Sequence, residues 1–436
     1  MRLLIILAQY HPALNPNVYR WAAIAERWTA QGHEVHILCT CRSGLPDETV
    51  MRGIHVHRAG QNSLLDWTYN LLRSERRRGE AGGDLVVRHG KWRTWVEKIV
   101  DYTWRSFYWP DGRCVWYGPA RRCAKRLLQA QHFDGIISVG APFTAHLIGL
   151  ACKGAQQDLT WLVDIEDPFA FVREYFINNR RLYGRLNNWA EARVLRKADA
   201  ISVTVETAQT AYAKFFPESA AKITVIPPLF DGAALQPLER LEYFEPDRTH
   251  LAYLGAFYTP IRTPDAALEL IHQLLSQHPE WREKLIVHFF GEVEYAAKAV
   301  FENYAHLAGN LRLHGLVDRT TVAAAMAQTD FLLNIGNTTT YNLPSKSADY
   351  LASGKPIIHL SASEPDTFQT YMASHPLLFS VKTEAINAQT CAALSTFLAQ
   401  HKGAQLNVEE IQSHIKPYQT AQIAEQYLSA LLAAAQ

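Results

Sequence analysis

Short apolar segments alternate with helical segments along the whole chain, and this order constrains the fold more than any other feature. The chain opens with the apolar run LLIILA, a loop, the helical segment VYRWAAIAERWTAQGH and a second apolar run, EVHILC. The same order starts again at HLAYLGAF and continues to KPIIHLS. Strands separated by helices form parallel sheets with right-handed crossovers. We therefore predict an α/β protein with two doubly wound, Rossmann-like domains that face each other across a cleft.

A segment of little periodicity separates the two series. PPLFDGAALQPLERLEYFEPDRTH is rich in proline and charge, which is typical of a linker. The 436 residues also exceed what one ordinary core requires. We predict an N-terminal domain over 1–229 with a helical excursion at 61–132, and a C-terminal domain over 230–415. The last segment, 416–436, is predicted to be a helix that packs back on the N-terminal domain.

Composition and charge exclude several classes of protein. Hydrophobic residues make up 48 % and charged residues 19 % of the chain, which is globular and not disordered composition. The formal net charge of +1 gives no overall field that attracts nucleic acid. No window approaches the roughly 18–20 apolar residues of a membrane span. We predict a cytoplasmic protein, soluble or peripheral on the inner face of the membrane, with no nucleic-acid partner.

Two further features favour a cytoplasmic protein without a structural metal. The apolar run in MRLLIILAQYHP is short and lacks a cleavage pattern, so we interpret it as a buried strand and not as a signal peptide. The six cysteines are scattered and form no CxxC pair, as expected in a reducing compartment. His55 and His57 share one face of a predicted strand, which we interpret as a solvated face and not as a metal pair.

Tryptophan, tyrosine and arginine are concentrated between Trp67 and Arg126. Examples are RSERRR, which contains Arg76–Arg78, and KWRTWVEKIVDYTWRSFYW. Two interpretations stay open. The segment is an ordinary helical excursion with solvated arginines, or it is a basic, aromatic surface that contacts anionic lipid headgroups or a lipid-linked acceptor.

The segment NLPSKSADYLASGKPII carries the clearest functional pattern. The strand FLLNIG leads into a loop of small residues, and a helix follows with Ser345 near its start. A helix N-terminus and the cation of Lys346 suit a diphosphate. Asp349, one turn further on, can accept hydrogen bonds from ribose hydroxyls, and Gly354 ends the helix. This pattern predicts a nucleotide site.

The same segment resembles the nucleotide-sugar signature of family 4 glycosyltransferases, which have the GT-B fold. The similarity is greatest to the branch that acts in bacterial surface polysaccharides. SVGAPFTAHLIGL followed by VDIEDPF, LRKADAISVTV and ITVIPP resemble further motifs of that branch, in the same order. The resemblance implies transfer of a sugar from a nucleotide diphosphate sugar to a hydroxyl of a glycan, with the anomeric configuration retained. The acceptor that the resemblance implies is a lipid-linked glycan.

The resemblance also implies a set of donor-binding residues in the second domain. The family has two glutamates eight residues apart, and these positions hold Tyr341 and Asp349 here. Sugar orientation must then come from the loop backbone and its hydroxyls, and Arg262 is the nearest substitute for the family's displaced cations. The predicted donor-binding residues are Gly255, Arg262, Gly291, Leu343, Pro344, Ser345, Lys346 and Asp349.

Residues of the first domain are predicted to bind the acceptor or to act in catalysis. The resemblance implies that Asp164 or Asp167 of DIEDP is an acceptor-binding or base-like carboxylate, and the alternative is an aspartate that stabilises the fold by capping the next turn. His146 can reach an acceptor hydroxyl or a leaving-group oxygen, or it is a satisfied helical histidine. The predicted catalytic residues are Asp167, Asp164 and His146, and the predicted acceptor-binding residues are Asn15, Asn17 and Pro142.

No metal and no cofactor beyond the nucleotide sugar are expected in the reaction. The chain has no D-x-D signature at the donor segment, and Arg262, Lys346 and the helix dipole can stabilise the departing diphosphate. Two alternatives remain. One is a sugar-nucleotide epimerase or hydrolase of the same fold, and the other is a catalytically silent glycan-binding scaffold.

Overall fold

The structure is a computed structural model. In it, the chain forms two compact units. The first comprises Met1–Ile226 together with Ala424–Gln436, and the second comprises Pro227–Ile423. The structure describes residues 1–13, 15–60, 103, 105–174, 177–230, 240–257, 259, 261–293, 295–344 and 346–435. The expectations for Arg76–Arg78, for the rest of 61–102 and for Ser345 lie outside the described residues and stay predictions.

The first unit contains an eight-stranded sheet in the order β3-β4-β2-β1-β5-β6-β7-β8. All neighbouring strands are parallel except the antiparallel pair of β3 and β4. The central strands are continuous apolar runs because both of their faces are covered. The strands are β1 Arg2–Ile6, β2 Glu34–Cys39, β3 Glu48–Met51, β4 Ile54–Arg58, β5 Gly135–Gly140, β6 Thr160–Ile165, β7 Ala200–Val203 and β8 Ile223–Val225.

The described helices of the first unit connect these strands. They are α1 Pro16–Ala30, α2 Tyr117–Ala130, α3 Thr144–Ala155, α4 Arg180–Lys197 and α5 Glu206–Phe215. Helix α1 begins where the Asn15 side chain accepts a hydrogen bond from the Val18 amide at 3.0 Å. It buries Trp21 and Trp28 completely. The Trp28 indole donates to the carbonyl of Ala424, so α1 packs on the C-terminal segment of the same unit.

The second unit contains a six-stranded, all-parallel sheet in the order β11-β10-β9-β12-β13-β14. Its strands are β9 Thr249–Leu254, β10 Leu285–Phe290, β11 Leu311–Gly315, β12 Phe331–Ile335, β13 Ile357–Ser361 and β14 Leu378–Lys382. Its described helices are α6 Asp265–Gln277, α7 Tyr295–Asn303, α8 Arg319–Gln328, α9 Ser347–Ser353, α10 Thr367–Tyr371, α11 Ala388–His401 and α12 Val408–Ile415. A last helix, α13 Thr420–Ala434, runs from the second unit into the first.

The predicted fold class is confirmed: the chain is an α/β protein with two parallel-sheet, Rossmann-like domains. In each sheet the strand order reverses beside the first strand of the unit, between β1 and β5 and between β9 and β12. Ligands of such sheets bind beyond the carboxyl ends of the strands at this reversal. Among the described helices, none is both long and apolar enough to cross a lipid bilayer.

Candidate active site

Two cavities open at the carboxyl ends of the strands in the first unit. The smaller has a volume of about 270 Å³ and lies against the ends of β1, β5 and β6. The larger, of about 460 Å³, extends from β5 and β6 toward α3 and α4. Arg113 and Ala141 line both, so the two cavities are adjacent. This is the edge at which the topology predicts a ligand.

Glu166 is the acidic residue of the smaller cavity. Its carboxylate lies 3.6 Å from Nη1 of Arg20 and accepts a hydrogen bond from Asn17. Burial raises its pKa from the ordinary value of 4.5 to about 8, Asp164 and Asp167 add to this rise, and Arg20 and Asn17 oppose it. The side chain remains 22 % exposed. Glu166 is therefore a carboxyl that a ligand can reach and that exchanges a proton near neutral pH.

Asp164, two residues earlier on β6, is fully buried and occupied by protein donors. Its Oδ1 accepts hydrogen bonds from the hydroxyls of Ser202 and Tyr427, both at 2.7 Å. Its Oδ2 accepts from the Trp21 indole at 3.3 Å. The predicted acceptor contact does not fit this position, because no face of the carboxylate is open to a ligand. Asp164 is a structural anchor beneath the cavity.

Arg20 occupies the centre of the same buried network. Its guanidinium lies 4.0 Å from Asp164, donates to the carbonyl of Ile226 at 3.3 Å and donates to the Tyr427 hydroxyl. Burial lowers the pKa of Arg20, but Tyr427, Asp164 and Glu166 outweigh it, and the pKa is raised. The arginine thus stays charged and supplies a fixed positive charge behind Glu166.

Asp167 and Pro142 line the larger cavity together with His146. Asp167 is exposed, so of the two predicted aspartates it is the one that a ligand can reach. Pro142 lies at the wall between the end of β5 and the start of α3. The structure thus brings these three predicted residues to one cavity, in which Asp167 is the accessible acid.

His146 is buried and held by the protein. Its Nδ1 lies 2.8 Å from the hydroxyl of Ser138, which accepts a hydrogen bond from the Trp161 indole at 2.9 Å. Burial lowers its pKa to about 3, so the imidazole is neutral at physiological pH. Its Nε2 faces Gly140, where an added Cβ would lie 2.5 Å away. Of the two interpretations, the structure favours a histidine whose hydrogen bonds are made within the protein. Its close approach to Gly140 leaves no room for a side chain at position 140.

The two predicted asparagines of the first loop have different surroundings. Asn15 caps α1 with its side-chain oxygen and donates from its nitrogen to Gln9 at 2.8 Å. Both polar atoms of Asn15 are thus used within the protein, although the residue lines the smaller cavity. Asn17 donates to Glu166 in that cavity. Asn17 is consequently the better placed of the two to contact a ligand.

Sequence reasoning did not single out Glu166 or Arg113. Glu166 stands in the DIEDP motif itself, and a signal was available, because it lies directly after the last residue of β6 and thus at the carboxyl edge. Arg113 lies in the arginine-rich segment, where nothing distinguishes it from its neighbours. Its position depends on Asp111, which accepts hydrogen bonds from the amides of Arg113 and Thr144 at 2.9 and 2.8 Å.

In an acceptor-dependent assay, Glu166→Gln should lower kcat/KM by about 5- to 30-fold, the effect of one lost hydrogen bond to a charged or polar partner. Nucleotide binding should not change, since Glu166 lies in the first unit. Asp167→Asn is the matched control at the neighbouring position, and it should have the smaller effect. A larger loss in Asp167→Asn would contradict the assignment.

The stability of the wild-type chain should fall as pH rises from about 4.5 to 8, in part because of Glu166. The folded carboxyl keeps its proton up to about pH 8, whereas the unfolded one loses it near 4.5, so the folded state binds more protons in this window. Glu166→Gln should reduce the fall. Chemical unfolding of both proteins at several pH values measures it, and parallel curves would show that the carboxyl is not shifted.

The second unit brings two predicted glycines into direct contact at the carboxyl edge of its sheet. Gly255 follows β9 and Gly291 follows β10. Gly291 has φ +133°, and a Cβ there would lie 2.2 Å from the carbonyl oxygen of Gly255. Only glycine allows this close approach of two backbones. The two strand ends therefore meet through backbone atoms, and both glycines are half-buried.

Arg262 lies beside Gly255 and is held by a neighbouring loop. Its Nε and Nη2 donate to Oδ1 of Asn337 at 3.0 and 2.6 Å, and Nη1 lies 3.5 Å from the Tyr253 hydroxyl. The amide of Thr338 donates to the carbonyl of Ile261 at 2.9 Å, which joins the two loops. The guanidinium is thus oriented before any ligand binds, and it is the predicted donor-site cation with the best defined position.

Lys346 and Asp349 pair with each other. Lys346 Nζ lies 3.4 Å from Asp349 Oδ2, and helix α9 begins after Lys346, at Ser347. The amide and hydroxyl of Ser347 both donate to the carbonyl of Pro344, at 3.0 and 2.6 Å. Because this amide is already satisfied and α9 has seven residues, the helix supplies less positive field than the sequence suggested. Leu343 packs partly buried against the hydrophobic core beside this turn.

Tyr350 links these groups to the sheet. Its hydroxyl accepts from the amide of Leu254, the last residue of β9, at 3.1 Å and donates to the carbonyl of Leu333, in the middle of β12, at 3.0 Å. Burial raises the pKa of Tyr350, Asp349 adds to the rise, and Arg262 opposes it. The phenol thus ties α9, which carries Asp349, to β9 and β12, the two strands on either side of the reversal in the second sheet.

Comparison with known proteins agrees with this architecture. Residues 19–232 match the sequence profile of Glycosyltransferase Family 4. No curated protein sequence matches the chain significantly. Sucrose-phosphate synthase from Thermosynechococcus elongatus is similar in structure, with a TM-score of 0.62, 14 % identity and 100 % of each chain covered.

Two further solved structures are similar over their full length. HepE from Anabaena, solved in complex with UDP, has a TM-score of 0.60 and 11 % identity, with 99 % of this chain and 100 % of that chain covered. WaaG, a glycosyltransferase involved in lipopolysaccharide biosynthesis, has a TM-score of 0.56 and 12 % identity, with 99 % and 98 % covered. At such identities the likeness concerns the fold, and the match to a family rests on the sequence profile over residues 19–232. The first part of the chain is therefore similar in sequence to glycosyltransferase family 4, and the whole chain has the GT-B fold of these enzymes.

Proposed function

We propose that this enzyme transfers a sugar from a nucleotide diphosphate sugar to a hydroxyl of a glycan acceptor, without a metal ion. The observation that carries the proposal is the arrangement of Arg262 at the carboxyl edge of the second sheet. A guanidinium oriented by Asn337 stands next to the side-chain-free strand ends at Gly255 and Gly291. A planar cation beside strand ends that carry no side chains is a suitable environment for a diphosphate.

Two residues after β12, Lys346 and Asp349, are suited to bind the nucleoside and phosphate parts of the donor. Asp349 is partly accessible on the first turn of α9, and a carboxylate there can accept hydrogen bonds from ribose hydroxyls. Lys346 adds a second cation. Ligand binding must compete with the 3.4 Å contact between the two side chains, and a phosphate is the natural replacement for Asp349 as the partner of Lys346.

The first unit supports acceptor binding. Its two adjacent cavities, of about 270 and 460 Å³, offer Glu166, Asp167 and Asn17 as polar groups for sugar hydroxyls. The pKa of Glu166 is raised to about 8, so its carboxyl group can donate or accept a hydrogen bond near neutral pH. Such a pair of roles suits a hydroxyl that is being oriented for attack.

We infer retention of configuration as the stereochemical course. In a retaining transfer, the bond between the anomeric carbon and the diphosphate oxygen breaks, and the acceptor oxygen forms its bond on the same face. The departing phosphate oxygen takes the proton of the acceptor hydroxyl. Arg262 and Lys346 stabilise the charge that develops on the diphosphate, and Glu166 orients the hydroxyl without having to act as a base.

The deciding experiment combines binding with turnover. A thermal-shift panel of UDP, GDP, dTDP, ADP and CMP should show stabilisation by one nucleotide, since a ligand of the folded state stabilises by mass action. Transfer from the matching nucleotide sugar should persist in excess EDTA. Complete loss of transfer on chelation, restored by Mg²⁺ or Mn²⁺, would refute the metal-free mechanism. Release of free sugar or an isomer without acceptor would favour the hydrolase or epimerase alternative, and binding without turnover would favour the scaffold.

An exposed apolar stripe supports a lipid-linked acceptor in bacterial polysaccharide assembly. Leu182, Leu186 and Trp189 lie on one face of α4, with 61 %, 39 % and 52 % of their surfaces exposed. The exposed Arg193 guanidinium lies 5.4 Å above the Trp189 ring. Apolar side chains flanked by arginines suit the interface of an anionic membrane. Helix α4 is thus a second candidate, beside Arg76–Arg78, for the surface that contacts an anionic membrane.

The vesicle prediction is that the protein binds anionic vesicles better than neutral ones at low salt. Leu182→Ser should weaken this binding by about fivefold, because one inserted leucine is worth roughly 1 kcal/mol or more. Val408→Ser is the control, since Val408 is an exposed apolar residue of the second unit. Equal binding to both vesicle types, or equal loss in both variants, would indicate a soluble acceptor.

A further inference from the structure

Three potential metal ligands meet at the amino edge of the first sheet, opposite to the edge with the cavities. Glu34 and His36 are two residues apart on β2 and share a face, and His55 on β4 is the register partner of His36. One ligand atom from each of the three residues lies within 4.8 Å of the other two. The donor set consists of two imidazoles and one carboxylate.

His36 has the surroundings of a ligating histidine. Its Nε2 lies 3.0 Å from Oε1 of Glu34, and its Nδ1 lies 3.0 Å from Nε2 of His57. Metal-bound histidines commonly have one ring nitrogen held by a protein partner while the other faces the ion. His57 is that partner here. It is buried, so the solvated strand face expected at His55 and His57 is wrong at His57.

The spacing of these atoms suits a small divalent ion. Bonds of about 2.0–2.2 Å from zinc to nitrogen and oxygen hold the ligand atoms of a tetrahedral site about 3.3–3.6 Å apart. The contact between Glu34 and His36, at 3.0 Å, needs to lengthen by only a few tenths of an ångström to reach this distance. His55 stacks on His36 with ring centroids 4.6 Å apart, and it is only half-buried. One ring nitrogen of His55 lies within 4.8 Å of the ligand atoms of Glu34 and His36, close enough to serve as the third ligand.

We propose that Glu34, His36 and His55 bind one zinc-type divalent ion that ties β2 to β4, with water as a further ligand. Two imidazoles and a carboxylate suit Zn²⁺, whereas Mg²⁺ and Ca²⁺ prefer oxygen ligands only. The half-exposed sides of Glu34 and His55 provide the route of entry. Because the site lies at the edge opposite to the cavities, its role is structural, and the proposal is independent of the transfer mechanism.

The positive charge of Arg2 weakens binding of a cation at Glu34. Its removal should therefore change the zinc affinity in a known direction. Nη2 of Arg2 lies 2.7 Å from Oε2 of Glu34, while His36 faces the other carboxylate oxygen, Oε1. An ion can therefore bind Oε1 without breaking the contact with Arg2. The guanidinium still repels a cation and weakens its binding. Arg2→Gln should therefore bind zinc more tightly than the wild type.

The experiment is calorimetric titration of the full, tag-free chain with ZnCl₂, and with MgCl₂ for comparison. We expect one equivalent of Zn²⁺ at this site, a rise in Tm with zinc and no binding of Mg²⁺. Glu34→Gln and His55→Gln should each weaken zinc binding by at least about tenfold, since loss of a residue that only supports a ligand already costs about 10- to 100-fold. Both positions are partly exposed, so the variants should fold, as circular dichroism can check.

The control is His272→Gln in the second unit, where His272 Nδ1 and His306 Nε2 form an exposed pair 2.8 Å apart. The proposal holds if this variant binds zinc as the wild type does while Glu34→Gln and His55→Gln do not. It is overturned if the wild type binds no zinc at micromolar concentration, if those two variants bind it unchanged, or if the loss follows His272→Gln instead.

Discussion

Arg262→Ala should weaken binding of the nucleotide diphosphate by about 1–3 kcal/mol, or about 5- to 150-fold in Kd. The guanidinium is oriented by two hydrogen bonds to Asn337, at 2.6 and 3.0 Å, and needs no further ordering when the ligand arrives. A contact to a charged ligand from such a side chain keeps most of its energy. Calorimetric titration with the nucleotide selected in the thermal-shift panel measures the change.

Two further variants separate the contribution of Arg262 from that of its surroundings. Lys346→Ala should cost less, because Lys346 is 34 % exposed and already paired with Asp349. Asn337→Ala should give an intermediate loss, since it leaves the charge and removes its orientation. If Arg262→Ala binds the nucleotide as the wild type does, the diphosphate lies elsewhere in the second unit.

Much of the fold could be predicted from the sequence because the strands are buried on both faces. Runs such as LLIILA and FLLNIG have no polar alternation and so indicate central parallel strands, as β1 and β12 are. Their alternation with helices fixes the handedness of the connections. The start of α9 was less predictable. Its first amide bonds to Pro344 in a turn, a local choice that periodicity does not reveal.

The positions of the proposed donor residues in the fold were easier to predict than the accessibility of the proposed acceptor residues, and the reason is physical. Gly255, Gly291 and Lys346 each follow a strand or precede a helix, so their place at the carboxyl edge follows from local order. The role of an acidic residue at the end of β6 depends instead on which side chains cover it. Asp164 is covered by Tyr427, which lies 263 residues later in the chain. The residues around DIEDP do not predict a contact with so distant a residue. Sequence analysis therefore did not show that Asp164 is covered and that Glu166 is accessible.

The buried network around Asp164 should make Asp164→Ala the most destabilising of these substitutions. The variant removes the carboxylate that accepts hydrogen bonds from Ser202, Tyr427 and Trp21. It also leaves the carboxyl group of Glu166, 3.6 Å away, as the remaining acidic partner of the Arg20 guanidinium. Loss of one member of a buried ionic network costs about 3–5 kcal/mol. Urea unfolding of the wild type and the variant measures the difference.

Two controls distinguish this structural role from a catalytic one. Asp167→Asn, at the exposed end of the same motif, should change the free energy of unfolding by less than about 0.5 kcal/mol. Tyr427→Phe should cost about 1–2 kcal/mol, since it removes only the hydroxyl that binds Asp164 and Arg20. Because Tyr427 belongs to the C-terminal segment of the first unit, this loss measures how firmly that segment is held to β6. A fully stable but inactive Asp164→Ala would instead show that the carboxylate takes part in transfer.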